Sequence, residues 1–194
     1  MPADQSSPGV PMEEHDAIEC VRKGDLQGLE SLLERYYVKA ARVAYLITQD
    51  AQSAEDVAQE TFVQLTKRIR RYDPRRPFEP WFMRCVCNAA IKAARRQARQ
   101  VSLDGDTPER GSAALADLLV DPHPGVEQQV DDVLSQERIW AAVRVLPPRQ
   151  RAVVVQRYYL GMKEAEMSTV LDCPPGTVKW LLNAARRNLR ARLQ

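Results

Sequence analysis

The chain has 194 residues, of which 44% are hydrophobic and 6% aromatic, and its 28 basic and 26 acidic residues give a net charge of +2. This composition fits one or two compact domains. There is no run of about 18 apolar residues and no basic stretch followed by an apolar one at the N-terminus, so we expect a cytoplasmic protein without membrane insertion or a secretion signal. The Pro, Ser and Gly residues among positions 1–15 predict a disordered extension.

Two long helices are predicted next. Asp25 is a suitable N-cap for a helix that ends near Thr48. Ser53, with Asp56 three residues later, resembles a capping box at the start of a second helix that runs to Arg71. The expected core-facing stripes are Leu29, Leu32, Leu33, Tyr36, Ala40, Val43 and Ile47 on the first helix, and Val57, Thr61, Leu65 and Ile69, with Phe62 beside them, on the second.

A loop and a third helix carry most of the positive charge. Residues 72–80 contain three prolines, which interrupt helical hydrogen bonding and predict a loop. The third helix is expected from about Pro80 to Gln100. Between Thr66 and Arg99 eleven basic residues accompany two acidic ones, a net charge of +9 that favours polyanion binding. On the third helix, the residues expected to face inward are Trp81, Phe82, Cys85 and Ala89, beside a polar stripe of Arg84, Asn88 and Arg95.

The middle of the chain predicts a linker between two lobes. Residues 101 to about 128 hold three prolines and three glycines without sustained periodicity. Between Asp104 and Glu137 nine acidic residues accompany a single arginine, a net charge of −8. The connector therefore has the opposite charge to the helix before it.

A second helical lobe follows the linker. Pro147 and Pro148 are expected to open a helix that ends at Gly161. A short helix from Lys163 to Leu171, a turn and a final basic helix then predict a helix-turn-helix unit. The helix before Pro147 is marked by Val133, Ile139, Trp140, Val143 and Leu146; the final helix has a core stripe of Val178, Leu182, Ala185 and Leu189 opposite Lys179, Asn183, Arg186, Arg187 and Arg190.

Two separated blocks resemble one protein family. AEDVAQETFVQL (54–65) and FEPWFMRCVCNAA (78–90) resemble region 2 of the sigma-70 family, and residues 146–179 resemble region 4. The chain is therefore similar to a bacterial RNA polymerase sigma factor of the extracytoplasmic-function type, over about four-fifths of its length. The resemblance implies an all-α fold with two helical domains joined by an acidic flexible linker, divided into a disordered extension (1–15), region 2 (16–100), linker (101–130) and region 4 (131–194).

The resemblance also implies a function. Such a protein binds core RNA polymerase and directs promoter-specific initiation by recognising minus-35 and minus-10 elements and helping to melt the DNA; it is not an enzyme and needs no cofactor or metal. Its partners would be the β′ clamp helices and β flap of the polymerase, promoter DNA and an anti-sigma factor. The positions matching the family's functional residues are Asp56, Gln59 and Glu60 for the polymerase; Arg75, Arg76, Phe78, Arg84, Asn88, Arg95 and Arg96 for the minus-10 element; and Thr177, Lys179, Trp180, Asn183, Arg186, Arg187 and Arg190 for the minus-35 element.

The match departs from the family pattern on the final helix. Trp180, Leu181 and Ala184 occupy positions where the family usually has a short polar residue and two arginines. The loss of two guanidinium groups is expected to change or weaken base readout. Trp180 is off the core stripe and is expected to be exposed, where it would contact a thymine methyl group or sugar, or else an anti-sigma factor. Trp81, by contrast, is expected in the core.

Other interpretations remain open from the sequence. In the family the acidic linker enters the polymerase cleft, but its composition equally suits a flexible tether. A stand-alone helix-turn-helix regulator would not need the first lobe, and an adaptor that has lost promoter readout would fit Leu181 and Ala184. Acidic and basic segments together also allow a closed free form. An enzyme is not indicated, because His15 and His123 fall in predicted loops and Cys20, Cys85, Cys87 and Cys173 are predicted to be buried thiols.

Overall fold

The computed structural model describes residues 12–104 and 138–193, and in these two ranges every regular element is helical. This confirms the predicted all-α class. No helix in these ranges is long and apolar enough to cross a membrane. The helices are α1 (Glu14–Lys23), α2 (Leu26–Thr48), α3 (Ala51–Arg68) with a 3₁₀ turn (Ile69–Arg71), α4 (Phe78–Asp104), α5 (residues 138–144), α6 (Pro148–Val154) with a π-helical turn (Val155–Tyr159), α7 (Glu164–Leu171) and α8 (Pro175–Leu193).

Helix α1 begins inside the segment that was expected to be disordered, so that expectation is wrong for residues 14 and 15. The apolar side of α1 is buried against α2, and the Tyr36 hydroxyl donates a hydrogen bond to the Glu14 carboxylate. His15, expected in a loop, is an exposed residue of this helix. Burial of apolar surface offsets the entropy cost of ordering the segment. Residues 1–11, the rest of the predicted extension, lie outside the described residues.

Helix α2 starts where the sequence predicts. Asp25 is its N-cap, and the carboxylate accepts a hydrogen bond from Gln27 N at 2.9 Å. Three residues later Gly28 allows α1 to approach closely, because a Cβ at this position would lie 2.4 Å from the carbonyl oxygen of Ala17. The predicted stripe on α2 is mostly buried, although Leu33 is exposed.

Helix α3 begins earlier than predicted. Its N-cap is Asp50, whose carboxylate accepts a hydrogen bond from Ser53 N at 2.9 Å, so the expected capping box at Ser53 is wrong. Asp50 has the better geometry because the loop after α2 is short and leaves it extended at the first turn. The Ser53 hydroxyl instead accepts from Gln97 Nε2 at 2.8 Å and links α3 to α4. The predicted core residues of α3 are buried as expected.

Aromatic rings form the centre of the first lobe. Phe78 stacks on Phe82 with ring centroids 5.7 Å apart, and Phe62 lies 4.8 Å from Phe82. The inward face predicted for α4 is only partly correct, because Trp81, Cys85 and Ala89 are half-buried. Helix α4 packs on both lobes, which shifts its buried face around the helix. The buried residues that the sequence did not indicate are Met83, Val86, Cys87, Ala90, Ile91 and Ala94.

The second lobe confirms the predicted helix-turn-helix. Pro147 is the N-cap of α6, and Gly161, with φ +65°, follows the π-helical turn. In the tight turn after α7, Asp172 has φ 49° and the Ser168 hydroxyl donates to the Cys173 carbonyl oxygen at 2.6 Å. The core stripe of α8 is buried or half-buried at the predicted positions. Val133 and residues 105–130 of the predicted linker lie outside the described residues, as does His123.

The two lobes pack against each other. Helix α6 and its π-helical turn contact α2 and α4, and α7 contacts α4. Arg151, 8% exposed, donates from Nε to the Ile47 carbonyl oxygen at 2.9 Å and from Nη1 to the Arg144 carbonyl oxygen at 2.7 Å. The fully buried Gln156 faces the Cys87 thiol from the π-helical turn. We call this contact between α2 and α4 of the first lobe and α6 and α7 of the second the lobe interface.

Candidate nucleic-acid interface

The loop between the 3₁₀ turn and α4 presents two cations. Tyr72 is buried at the start of this loop, where its ring packs edge-on against Phe78. Its hydroxyl donates to the carbonyl oxygen of Arg76, and its own carbonyl accepts from Arg22 of α1. Arg75 and Arg76, which the resemblance indicated as minus-10 contacts, are exposed on this loop. Helix α1 thus helps to position a segment about fifty residues away.

The exposed face of α4 extends this positive surface. Arg84 and Arg96 are exposed, whereas Asn88 and Arg95 are half-buried. Burial lowers the pKa of Arg95, and the neighbouring cations Arg149 and Arg99 lower it further. Lys92 and Arg99 belong to the same surface, although they were not singled out as site residues; their helical spacing from Arg84 and Asn88 indicates them. We call this surface the cationic face of α4, which consists of Arg84, Asn88, Lys92, Arg95, Arg96 and Arg99.

A different, acidic and polar face lies on α3. Asp56, Gln59 and Glu60 are all exposed, and their spacing places them on one side of the helix. Val63, one turn further along, is 56% exposed on the same side. Gln64 donates to the Glu60 carboxylate at 2.7 Å. This α3 face therefore combines negative charge with an apolar side chain that has no cover in the described parts of the chain.

Helix α8 carries the second cationic face. Lys179, Trp180, Asn183, Arg186, Arg187 and Arg190 are exposed and Thr177 is half-buried. No acidic residue occurs on this helix. Trp180, Asn183, Arg186, Arg187 and Arg190 line an open depression of about 500 Å³. An exposed basic face on the second helix of a helix-turn-helix is suited to the phosphates and base edges of a DNA major groove.

Comparison with known proteins identifies the family. Residues 32–100 match the family model of Sigma-70 region 2, and residues 136–189 match that of Sigma-70, region 4. The ECF RNA polymerase sigma factor SigL of Mycobacterium tuberculosis is 31% identical over 167 residues, which cover 86% of this chain and 89% of SigL. The chain belongs to the ECF sigma factors of the sigma-70 family. It is a transcription initiation factor and not an enzyme.

Other relatives agree with this assignment. The ECF sigma factor SigW of Bacillus subtilis is 27% identical over 177 residues, covering 91% of this sigma factor and 95% of SigW. Two solved structures share the fold. The sigma factor RpoE of Bartonella quintana, bound to the anti-sigma factor NepR, has a TM-score of 0.62 at 16% identity and covers 84% of this chain and 95% of its own. CnrH, bound to the cytosolic domain of CnrY, has a TM-score of 0.59 at 22% identity, and the match covers 93% of this chain and 96% of CnrH.

Two aromatic residues of this sigma factor differ from the sequence expectation. Phe78 was expected to contact unpaired bases, but its ring is 1% exposed and packs against Tyr36 and Phe82. Its position directly after the loop made it resemble a surface residue, whereas the aromatic cluster of the first lobe holds it inside. Trp81, expected in the core, is half-buried and packs on Tyr72 with ring centroids 5.1 Å apart.

The departures from the family pattern on α8 have different structural settings. Trp180 is 61% exposed, as predicted. Leu181 and Ala184 are each 5% exposed and belong to the buried side of the helix. The two positions at which the resemblance indicated arginines are therefore core positions in this sigma factor. Trp180 alone alters the chemistry of the exposed face.

One residue of this surface had no signal in the sequence. Tyr158 is 62% exposed on the π-helical turn, and its hydroxyl accepts a hydrogen bond from Arg186 Nε at 3.1 Å. This bond uses Nε, and the donors of the two terminal amino groups of Arg186 are additional to it. Further along α8, Asn188 donates to Gln150 of α6 at 2.8 Å. Helix α6 and its π-helical turn therefore hold α8 at two points.

Proposed function

We propose that this sigma factor contacts core RNA polymerase through the α3 face and promoter DNA through two separate surfaces, one on each lobe. The observation that carries the proposal is the presence of an exposed cationic face on α8 and another on α4 and its preceding loop, with an acidic face on α3. A protein that contacts DNA at a single site has no use for the cationic surface on α4 or for the acidic face on α3. The protein acts in the cytoplasm, where the polymerase is.

The α3 face is the proposed polymerase contact. Asp56, Gln59 and Glu60 supply charged and polar groups, and Val63 supplies an apolar centre. An interface of this kind combines steering by charge with burial of an exposed apolar side chain. We assign the β′ clamp helices to this face and the β flap to the second lobe.

The loop and α4 are the proposed minus-10 surface. Unpaired DNA requires cations along the backbone and flat groups beside the bases. Arg75, Arg76, Arg84 and Arg96 are exposed and meet the first requirement. Asn88, Arg95 and the half-buried Trp81 complete the surface, and Phe78 supports it from within the core.

The exposed side of α8 is the proposed minus-35 surface. Its N-terminal half presents Thr177, Lys179, Trp180 and Asn183, the part of a recognition helix that reaches base edges. Arg186, Arg187 and Arg190 extend along the same exposed side toward the phosphates.

Both lobes have to separate for this function. Arg95 on the cationic face of α4 is half-buried, and the charge of Arg149 on α6 lowers its pKa, so the second lobe adjoins the proposed minus-10 surface in the closed arrangement. We propose that polymerase and promoter bind an opened form, and that an anti-sigma factor binds this protein as NepR binds RpoE and CnrY binds CnrH.

Reconstituted transcription tests the proposal. The full chain is mixed with bacterial core polymerase, and open complexes on candidate promoters are detected by permanganate reactivity of unpaired thymines. Asp56→Lys is expected to weaken core binding at least about tenfold, which corresponds to about 1.4 kcal/mol. Glu34→Lys, an exposed acid on α2, is the matched control. A wild-type protein that binds DNA alone and forms no complex with core would instead be a stand-alone regulator.

A further inference from the structure

Trp180 is exposed among the polar and cationic side chains that line the depression on α8. Its indole is 61% exposed, although a large aromatic surface in water is normally covered by a partner. Val178, Leu181 and Leu182 are buried on the opposite side of α8, so the rotation of the helix is fixed. Trp180 therefore cannot turn into the core without expelling these three side chains.

The surroundings of Trp180 define the charge of its partner. All five charged residues of α8 are cations, and three of them line the same depression as the indole. A partner that covers this surface has to bring negative charge together with an apolar group. Duplex DNA does so, because the major groove displays the thymine methyl group among base acceptors and between two rows of phosphates.

The geometry of α8 indicates a second DNA contact, by Asn183, beside Trp180. At about 100° per residue, Trp180 and Asn183 lie about 60° apart on the helix surface and one turn apart along it. Asparagine pairs with the N6 and N7 edge of adenine, which is the partner of thymine. An indole and an amide at this spacing suit adjacent A·T pairs better than the guanine edges that arginine reads.

We propose that Trp180 is a specificity-determining residue that packs on a thymine methyl group in the minus-35 element, with Asn183 reading an adenine in the same or the neighbouring base pair. This inference rests on the proposed minus-35 role of α8. It assigns to an A·T step the part of the site where the family pattern has a short polar residue.

Removal of single methyl groups from the DNA tests this inference. Holoenzyme, formed from the full chain and core polymerase, first selects a minus-35 sequence from a duplex library. Each thymine of the selected element is then replaced by deoxyuridine, which lacks only the methyl group. We expect one replacement to weaken holoenzyme binding about three- to fivefold, the effect of burying one methyl group.

Variants show which side chain makes the contact. In Trp180→Ser the same deoxyuridine replacement is expected to have no further effect, whereas Trp180→Phe retains part of it. Trp140→Ser, at a partly exposed tryptophan of α5, is the matched control and should respond as wild type does. Circular dichroism melting confirms that each variant folds.

The outcomes separate this inference from the proposed function. Holoenzyme that binds its promoter without sensitivity to any methyl group, or with the same sensitivity in Trp180→Ser, overturns the role of Trp180 and leaves the sigma function intact. Trp180→Ser that keeps DNA affinity but loses affinity for a protein partner also overturns it. Failure to bind core or promoter at all contradicts the proposed function itself.

Discussion

Tyr158 illustrates how one side chain outside the basic helix can determine how an arginine is presented. Its hydroxyl accepts from Arg186 Nε at 3.1 Å, and both residues are exposed, so the bond restricts a side chain that would otherwise sample many rotamers in water. Restriction before binding lowers the entropy cost of contact with DNA. Tyr158 acts as a positioning residue for Arg186.

Tyr158→Phe is expected to weaken holoenzyme binding to promoter duplex by about two- to tenfold, the range of one net hydrogen bond. The change removes the hydroxyl acceptor and keeps the ring. In an Arg186→Ala background the same substitution should have no additional effect, because the bond is already absent. Fluorescence anisotropy on the four proteins gives the coupling. Additive losses would mean that Tyr158 contacts DNA independently of Arg186.

Cys87 illustrates the effect of burial on a titratable group. Burial raises the pKa of its thiol from about 9 to about 12, and contact with Gln156 opposes this rise. Because the folded pKa is the higher one, the neutral thiol stabilises the fold below pH 9, and that contribution is lost as the pH rises toward 12. The cause is local to the lobe interface.

The stability gap between wild type and Cys87→Ala is therefore expected to narrow by about 1 kcal/mol between pH 8 and pH 10. Urea unfolding at the two pH values measures it. The alanine variant has its own cavity cost, but that cost does not titrate. A gap that stays constant over this interval would contradict burial of the thiol.

At the scale of helices, the contact between α1 and α2 depends on one missing side chain. A Cβ at Gly28 would lie 2.4 Å from the Ala17 carbonyl oxygen and 2.6 Å from Cys20 Cβ, so the two helices would have to move apart. Helix α1 in turn supplies Arg22, which holds the loop that carries Arg75 and Arg76. The DNA-facing loop thus depends on close packing in a helix pair outside the DNA surface.

Gly28→Ala is expected to lower the free energy of unfolding by about 1 to 3 kcal/mol, although alanine normally favours a helix. Gly176→Ala on α8 is the matched control, because nothing lies within 4 Å of its added Cβ. That control should be neutral or stabilised by up to about 1 kcal/mol. Thermal or urea unfolding compares them. Equal effects at both glycines would argue against the close approach of α1.

The helices also show which structural features the sequence patterns predict and which they do not. Asp25 and Pro147 were predicted as helix starts because capping and proline geometry are local properties of the chain. The start of α3 was misplaced because Asp50 and Ser53 are both good capping residues and only the path of the preceding loop decides between them. The buried face of α4 was misjudged because contact with the second lobe is a tertiary property. Phe78 was misjudged because its burial is also a tertiary property, and Tyr158 was not singled out because its contact with Arg186 is one too.

At the scale of the whole molecule, the lobe interface is polar for a contact that is buried so deeply. Arg151 binds carbonyl oxygens at the ends of α2 and α5, with no carboxylate partner in the described ranges, and burial lowers its pKa to about 10. Arg95 and Arg149 are like charges on opposite lobes. In the described ranges, buried hydrogen bonds and apolar packing hold the two lobes together.

Arg151→Met is accordingly expected to open the protein, because it leaves the Ile47 and Arg144 carbonyl oxygens without their donor. Loss of such charge-assisted bonds costs about 1.5 to 3 kcal/mol each. Small-angle scattering should show a larger radius of gyration for this variant. Arg157→Met, at an exposed arginine of the π-helical turn that follows α6, is the control.

High salt is expected to leave the wild-type radius unchanged, because screening acts mainly on exposed charges, whereas the hydrogen bonds of Arg151 in the described part of the interface are buried. Scattering is compared at about 50 mM and about 500 mM salt. At the higher concentration the Debye length is well below about 10 Å, so exposed charges are screened from one another. Expansion at high salt would indicate closure by attraction between segments of opposite charge.

Gln156 has a consequence for how readily the protein can be recruited. Its amide is fully buried in the lobe interface, where within the described ranges neither its nitrogen nor its oxygen makes a hydrogen bond of normal geometry, and the Cys87 thiol that faces it is a weak partner. Such a group costs about 1 to 3 kcal/mol, which makes the closed conformer about 5 to 150 times less populated relative to the open one than a satisfied interface would. A partner that binds only the open conformer therefore has a higher apparent affinity, by the same factor. A leucine at this position would remove the buried amide and shift the population toward the closed conformer.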